Sequence, residues 1–449
     1  MLRSLLSHRT APTLIIFAVA LAVRLIALVA TFESNDDVAY YDDAKIAFNV
    51  IAGRGFSIDI NYRNWLFYEE FLDSGTLDNP IVEGVKPTAS KQPLYPLLLS
   101  LMFVLFGAKN FAAVFVLHAF IAALTAAILF VAFRPLSAWR AVAIAAGVAL
   151  YPAFVIHSIT VPESTTVVLF LVALLFLCFR RATEAPSPGR WAATGLVSGL
   201  LVLSEPVTLP FVVLAVAYAA FLTRAQPRFP VHVSAALVLF VLVLSPWVVR
   251  NYVVFHRFPV VKSIVGNVFN WGLERSGRGS WIPDERVIAL EREGRYKSEV
   301  EEDEAIRREL RALFPSHWKE YVTYNVPMNF IHFWWDVDRR LEQPSTAWIV
   351  GRMVPYAALL LFALPGLALL LLDLARQPAR TLATAPADIF AVCLIGSFTL
   401  VYSIFGAYMS RYRFPVELCL IFFAARTLEL LVARTTQPWP GRRAAATSV

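Results

Sequence analysis

The chain has 449 residues, of which 58% are hydrophobic and 16% are charged, and its mean hydropathy is +0.61. So apolar a composition excludes a water-soluble domain of this length and predicts a protein that spans a membrane several times. The net charge of +7 would also suit a nucleic-acid-binding protein. Many of the arginines, however, stand at the termini and in short gaps between apolar runs, which marks the cytoplasmic side of a membrane. We therefore expect no nucleic-acid partner.

Ten apolar runs predict ten membrane spans. They lie near 11–32, 110–133, 139–157, 162–179, 191–204, 207–222, 231–249, 350–372, 388–409 and 412–433. An even number places both termini on the same side of the membrane, and the arginines assign that side to the cytoplasm. The first run is followed by no small-residue cleavage signature and is predicted to be an uncleaved span. The run 93–106 would be only about 21 Å long as a helix, so we expect an interfacial or re-entrant helix. If it crosses together with a further break, the number of spans is eleven or more.

These runs predict an all-α integral membrane bundle with two long periplasmic loops. The expected parts are a first span at 1–32, a loop at 33–92, a bundle at 93–249, a second loop at 250–349, further spans at 350–433 and a cytoplasmic tail at 434–449. In the second loop, Ser298 and Glu301 form a capping box that opens a helix, and Pro315 is expected to end it. The aromatic residues at 330–335 are interpreted as an interfacial belt, with sugar stacking as the less favoured alternative.

Carboxylates follow the first span directly and indicate chemistry rather than anchoring, because a spanning helix needs no acidic cluster for its stability. The residues concerned are Asp36, Asp37, Asp42 and Asp43. We interpret the last two as the solvated start of a helix. The three cysteines, Cys178, Cys393 and Cys419, all fall in apolar runs. They offer no disulfide framework and no metal-ligand spacing, so we expect them to have a buried structural role.

Six segments, taken in order, carry a resemblance to a known family. They are DVAYY (37–41), GRGFS (53–57), KQPLYPLLLSLMFVLFG (91–107), LYPAFVIHSITVPES (150–164), SPWVVRNYVVFHRFPVV (245–261) and SRYRFPVELCLIFFAA (410–425). This order resembles the GT-C superfamily of polyprenyl-phosphate-sugar-dependent glycosyltransferases. Most similar is the bacterial branch related to dolichyl-phosphate-mannose protein mannosyltransferases and lipid A aminoarabinose transferases.

The resemblance implies a GT-C bundle of about 10–13 spans in the bacterial inner membrane. It implies an inverting transfer of a hexosyl or pentosyl group from a polyprenyl-phosphate carrier. The acceptor would be a protein, a lipid or a polysaccharide on the periplasmic face. No cofactor is implied, and Val38 stands where relatives often carry glutamate, which argues against a divalent-metal site.

The same resemblance implies roles for individual acids. Asp37, in a D-x-x-Y context with Tyr40 as its partner, matches the general base that activates the acceptor, and Asp36 is the second choice. The alternative is that both acids only form a solvated cap. Glu163 matches an acidic position of many relatives and is a further catalytic candidate. Glu205 stands where relatives more often have a basic residue, and it is expected to influence the choice of sugar or acceptor.

Cations are expected to bind the donor phosphate. Lys91 precedes the Pro-Leu-aromatic stretch that ends at Tyr95, as in relatives; its alternative role is snorkelling at the membrane surface. The other candidates are Arg250, Arg411 and Arg413, since guanidinium groups suit phosphate oxygens. For Arg24, in the first span, a donor-phosphate role and an ion pair between helices both remain open. His157 is expected to be a satisfied polar group at a helix end.

Two other classes of function compete with transfer. A transporter or flippase would also span the membrane many times, but it usually shows internal repeats and paired broken helices, which the sequence lacks. A membrane scaffold would not need an ordered set of carboxylates, lysine and arginines along one boundary. Membrane lipids are expected partners in each case.

Overall fold

The computed structural model describes residues 10–32, 41–59, 84–257, 261–273, 281–283, 286–287, 289, 298–335, 346–406 and 409–436. The first half of the chain comprises α1 (Ala11–Thr31), α2 (Asp42–Ile51), β1 (Ser57–Asp59), β2 (Val85–Pro87), α3 (Leu94–Phe106), α4 (Phe111–Phe133), α5 (Ala138–Leu150), α6 (Pro152–Thr160), α7 (Thr165–Glu184) and α8 (Pro188–Ser204). The second half comprises α9 (Leu209–Thr223), α10 (Phe229–Phe255), α11 (Val265–Leu273), α12 (Glu299–Glu320), α13 (Val326–Trp335), α14 (Thr346–Arg376), α15 (Pro378–Thr384), α16 (Pro386–Phe405) and α17 (Phe414–Thr436).

The predicted all-α membrane fold is confirmed, and a helix lies at each of the ten predicted spans. In the described part of the chain, seven helices are long and apolar enough to cross a membrane, and the pair α5–α6, bent by 44°, makes up to eight. The two other predicted spans fall on α8, which has 17 residues, and on α17, which carries Glu417, Arg426 and Glu429. The run after Pro93 forms the short apolar helix α3, which ends at Gly107.

Arg24 donates hydrogen bonds to backbone carbonyl groups at the break between α5 and α6. Its guanidinium donates to the carbonyl oxygens of Ala149 at 3.0 Å and Val148 at 3.1 Å, and to Ala20 in its own helix at 3.0 Å. In an unbroken helix the carbonyl of Val148 would accept from residue 152, but Pro152 has no N–H to give. The side chain of Arg24 is fully buried. The contacts described for this arginine are hydrogen bonds to carbonyl groups, two of them in a neighbouring span, and its donor-phosphate role stays a prediction.

The helix in the second loop is longer than predicted. Ser298 caps α12 by accepting from the backbone N–H of Glu301 at 3.4 Å, as expected. Pro315 does not end the helix, which continues to Glu320 and leads through a π-helical turn (Tyr321–Asn325) into α13. A proline removes one N–H donor from a helix, and here the carbonyl that loses its partner belongs to the exposed Arg311, where water can replace it.

The predicted aromatic belt is only partly exposed. Phe330 and Trp335 present about half of their surface, whereas Phe333 is buried and stacks on Tyr402 with 5.2 Å between ring centroids. The exposed pair fits the interfacial interpretation, and the buried phenylalanine belongs to the core.

The two ends of the bundle differ in their charged groups. One end carries an arginine network in which Asp388 accepts from Arg426 at 2.7 Å and from Arg140. The opposite end, here called the loop end, receives the described parts of the first loop. There α2 packs on α3, and β1 pairs antiparallel with β2, with Ser57 opposite Pro87. Because β2 leads directly into residues 88–93, this ribbon helps to place the segment that contains Lys91.

Candidate active site

Charged side chains from five separate segments meet at the loop end. They come from the start of α2, the segment before α3, the turn before α7, the segment before α11 and the 3-10 turn (Ser410–Arg413) before α17. We call this group the loop-end cluster: Asp42, Asp43, Lys91, Glu163, Lys262 and Arg411. Three carboxylates and three cations thus share one region at the boundary of the apolar bundle.

Lys91 is held by the first turn of α2. Its Nζ lies 3.1 Å from Oδ2 of Asp42, and both side chains are about three-quarters buried. Two acids at the N-terminus of a helix are favoured by the helix dipole, which explains why α2 begins at Asp42. The predicted helix start is therefore observed, but its first carboxylate is paired with the cation expected to bind the donor.

Asp43 is not solvated, contrary to the interpretation from the sequence. Only 7% of the residue is exposed, because α2 lies against α3 and turns this side chain towards the bundle. Burial raises the pKa of its carboxyl above the usual value, while the positive charges of Lys91, Arg411 and Lys262 act in the opposite direction. A buried carboxyl group with a raised pKa is a candidate for proton exchange with a substrate.

Arg411 and Glu163, which are far apart in the sequence, form an ion pair. Both side chains are at least four-fifths buried. Burial lowers the pKa of the Arg411 guanidinium, and Tyr412, Tyr41 and Asp43 partly compensate. The structure thus brings two predicted site residues into direct contact, beside the acid of α2.

Polar and aromatic side chains lie next to the charged residues of the loop-end cluster. Gln92 donates to Oε1 of Glu205 at 3.1 Å, and Tyr402 stacks on Tyr412 with 5.2 Å between centroids. The hydroxyl of Tyr95 is 2.9 Å from Nε2 of the buried His118. Glu205 and Tyr95 therefore lie close behind Lys91, with Tyr95 directed into the bundle.

His157 is half-buried, and it packs edge-on against Phe414 with 5.1 Å between ring centroids. It lies within electrostatic range of Arg411 and is therefore a neighbour of the loop-end cluster.

Two predicted arginines are occupied elsewhere. Arg413 donates to Glu417 at 2.9 Å and to the carbonyl of Phe333 at 2.9 Å, and only 1% of it is exposed. The same carboxylate accepts two bonds from Arg352, at 2.7 and 3.1 Å. This network ties α14 to α17 inside the bundle. The structure does not bring Arg413 to the loop-end cluster.

Arg250 joins α10 to the first loop. It donates to the carbonyl oxygens of Phe56 and Thr88, each at 2.8 Å, and lies over the ring of Trp247 at 5.0 Å. It therefore supports the segment that leads to Lys91, while its guanidinium is directed at backbone rather than at the cluster.

Asp36, Asp37 and Tyr40 lie outside the described residues. The neighbouring Tyr41 is described, and it lies within electrostatic range of Arg411. Lys262 was missed by sequence reasoning, since no motif surrounds it. Lys262 lies in the second long loop, and its position just after the segment 245–261 is the one feature of the sequence that could have marked it as a candidate.

A cavity of about 240 Å³ lies between α5, α14 and α17. Its lining is almost entirely apolar and includes Gly147, Pro355 and Ile421, with Tyr151 as the polar exception. In the part of the chain that the structure describes, no group of three or more His, Cys, Asp or Glu side chains has the arrangement of a metal site.

Residues 86–249 match the family model described as dolichyl-phosphate-mannose-protein mannosyltransferase. The predicted resemblance to the GT-C glycosyltransferases is confirmed. The matched stretch contains Lys91, Glu163 and Glu205, whereas Asp37, Asp43 and Arg411 lie outside it. No curated protein matches the chain significantly.

The family match and the helices together support a glycosyltransferase of the GT-C type in a multi-pass membrane protein. The family implies a polyprenyl-phosphate-linked sugar donor and an acceptor in general terms.

The cysteines are free, with Cys419 buried and Cys178 and Cys393 half-buried.

Proposed function

We propose that this protein is an inverting glycosyltransferase that moves a sugar from a polyprenyl-phosphate carrier to an acceptor on the periplasmic face of the bacterial inner membrane. The observation that carries the proposal is the position of Asp43 among Lys91, Lys262 and Arg411 at one end of a membrane bundle. A carboxyl group and several cations at one end of a membrane bundle are the kinds of group that this reaction needs, and the family match supports the proposal.

The reaction requires a base and an anion site. A carboxylate takes the proton of the acceptor hydroxyl, and the oxygen forms a bond to the anomeric carbon of the sugar. The bond from that carbon to the phosphate oxygen breaks, and polyprenyl phosphate leaves with the electron pair. Attack from the face opposite the leaving phosphate inverts the configuration. The base and the cations must therefore lie on opposite sides of the sugar.

Asp37 is the proposed general base, with Tyr40 as its partner and Asp36 as second choice among the acids after α1. The structure adds Asp43 as a further candidate, since it is buried and its pKa is raised; as the base it would have to face the sugar from the side away from the phosphate. Asp42 is a poorer candidate, because its carboxylate is already paired with Lys91.

The donor phosphate is proposed to bind Lys91, Arg411 and Lys262. In the structure Lys91 contacts Asp42 and Arg411 contacts Glu163, so carboxylate oxygens occupy the positions that phosphate oxygens would take. Donor binding would then exchange one anion for another at each cation, which keeps the desolvated charges paired throughout. In this scheme Glu163 holds Arg411 between turnovers, and Glu205 lines the approach of the sugar.

The distribution of charges supports an orientation in the membrane. Arginines such as Arg134, Arg180 and Arg224 stand at the end opposite the cluster, and the positive-inside rule assigns that end to the cytoplasm. The loop-end cluster and the two long loops would then face the periplasm, with both termini inside.

The test is transfer by purified protein from a panel of polyprenyl-phosphate sugars, including hexoses and pentoses. We expect wild type to use at least one donor and Asp37→Asn or Asp43→Asn to lose most of the transfer. Glu184→Gln, an exposed acid at the opposite end, is the matched control. Failure of wild type with every donor, together with uptake of a solute by the reconstituted protein, would replace this proposal with a transporter.

A further inference from the structure

A buried carboxylate from the second long loop holds the segment that precedes Lys91. Glu299, the first residue of α12, accepts from the backbone N–H of Ala89 at 2.5 Å and from the hydroxyl of Thr88 at 2.9 Å. Residues 88–90 are almost completely buried, and Lys91 follows them directly. A short segment fixed at two of its three residues leaves the next residue little freedom of position.

The same carboxylate holds the segment that contains Lys262. The hydroxyl of Ser263 donates to Oε1 of Glu299, and the backbone N–H of Ser263 donates to the carbonyl of Ala89 at 3.0 Å. One turn further along α12, Asp303 accepts from the backbone N–H of Gly266 at 2.7 Å. The two segments are therefore bound to each other as well as to Glu299.

Both fixed segments carry a lysine that acts on the charge of Asp43. Lys91 and Lys262 each oppose the rise in its pKa, so both ammonium groups lie within electrostatic range of the buried acid. Glu299 itself is 4% exposed and is occupied by three donors, which leaves it outside the chemistry. Its contacts are with backbone and hydroxyl groups next to the lysines rather than with the lysines.

We propose that Glu299 is a positioning residue that fixes Lys91 and Lys262 at the spacing required by one donor phosphate. The proposal rests on the proposed glycosyl transfer, since it assigns both lysines to the leaving phosphate. It also gives the second long loop a role, because α12 joins the lysine-bearing segments of both loops. An ammonium group interacts with phosphate as a point charge, so its distance from the phosphate decides its effect.

The variants Glu299→Ala and Glu299→Gln separate the contacts. Alanine leaves the N–H of Ala89 and two hydroxyl groups without their acceptor. Glutamine retains one acceptor oxygen in the same place. If Glu299 positions the lysines, KM for the donor should rise about tenfold in Glu299→Ala while kcat changes less, because a charge-assisted bond to the phosphate is weakened. Glu299→Gln should restore part of the affinity.

A second measurement tests whether the effect passes through the lysines. In a Lys91→Ala/Lys262→Ala background, Glu299→Ala should raise KM by less than about twofold, since groups that act as one unit are not additive. Glu304→Gln, on the same helix and partly exposed in a pair with Arg257, is the control and should leave KM unchanged. An equal rise in KM in both backgrounds would overturn the proposal.

Hydrogen exchange provides a readout that needs no donor. Glu299→Ala should increase exchange at the amides of Ala89 and Ser263 in folded protein, while the helices of the bundle keep their protection. Unchanged exchange at these amides would overturn the positioning role, whether or not transfer is observed. If exchange increases but wild type transfers no sugar, Glu299 still holds the two lysine-bearing segments, and the proposed glycosyl transfer is the part that is wrong.

Discussion

The ammonium group of Lys91 lies 3.1 Å from the carboxylate of Asp42, at the first turn of α2. This contact joins the acidic turn after the first span to the cation that precedes α3. In the proposed reaction the donor phosphate competes with Asp42 for the same ammonium group. The two residues therefore have opposite effects on donor binding.

Substitutions at this pair should change KM in opposite directions. Lys91→Ala removes a charge-assisted contact to the phosphate and should raise KM for the donor by about ten- to a hundredfold. Asp42→Asn frees the lysine and should leave KM equal to or below that of wild type. The measurement is initial rate against donor concentration. A rise in KM in Asp42→Asn similar to that in Lys91→Ala would contradict this competition.

The pH dependence of transfer should reflect Asp43. Burial raises its pKa, so this carboxyl is protonated at a pH where an ordinary aspartate is still ionised. If the ionised form is required, kcat falls as pH decreases through the raised pKa. Asp43→Asn should remove this acidic limb and lower kcat by about a hundredfold or more.

Unfolding does not account for that acidic loss. A carboxyl whose pKa is higher in the folded than in the unfolded protein binds its proton more tightly when folded, so acidification through this range adds to stability. The control is the thermal midpoint of wild type over the same pH range. An acidic limb of unchanged position in Asp43→Asn would assign it to another group.

Arg411 and Arg413 should behave differently although they are close neighbours. Arg411→Ala should raise KM for the donor, because it removes a cation from the cluster. Arg413→Ala should instead lower stability by about 1.5–3 kcal/mol, because Glu417 loses one of its two arginine partners and keeps Arg352. The measurements are KM and the thermal midpoint of each variant in detergent. An Arg413→Ala protein of wild-type stability with a raised KM would reverse these roles.

The break between α5 and α6 offers a rescue experiment. Arg24→Leu should destabilise the protein by about 2–5 kcal/mol, because the carbonyl groups of Val148 and Ala149 lose their donor in an apolar environment. Adding Pro152→Ala supplies the missing backbone N–H and should recover part of this loss. Thermal unfolding of the single and double variants measures both effects. A double variant less stable than Arg24→Leu would contradict the explanation.

The spans were predictable because each depends on a local property. An apolar run of sufficient length must be helical in a membrane, where every backbone group needs a partner within the segment. The start of α12 was predictable for the same reason, since Ser298 and Glu301 form its cap locally. The continuation through Pro315 was not, because it depends on whether one carbonyl group reaches solvent.

The candidate site was predictable in its residues more than in their roles. Arg411 and Arg413 share one local pattern, but two residues are about 240° apart around a 3-10 helix, so one faces the cluster and the other faces Glu417. The burial of Asp43 depends on the packing of α2 against α3. The position of Lys262 within range of Asp43 depends on the contact of Glu299 with the neighbouring Ser263. Contacts over such sequence distances leave no local signature.

The most direct measurement is the release of polyprenyl phosphate from a labelled donor by purified protein in liposomes, with and without acceptor. We expect acceptor-dependent release by wild type, equal in amount to the sugar transferred, and a loss of about a hundredfold in the Asp37→Asn/Asp43→Asn variant. Release by that variant at the wild-type rate, or no release by wild type from any donor, would show that the loop end of the bundle does not transfer sugar.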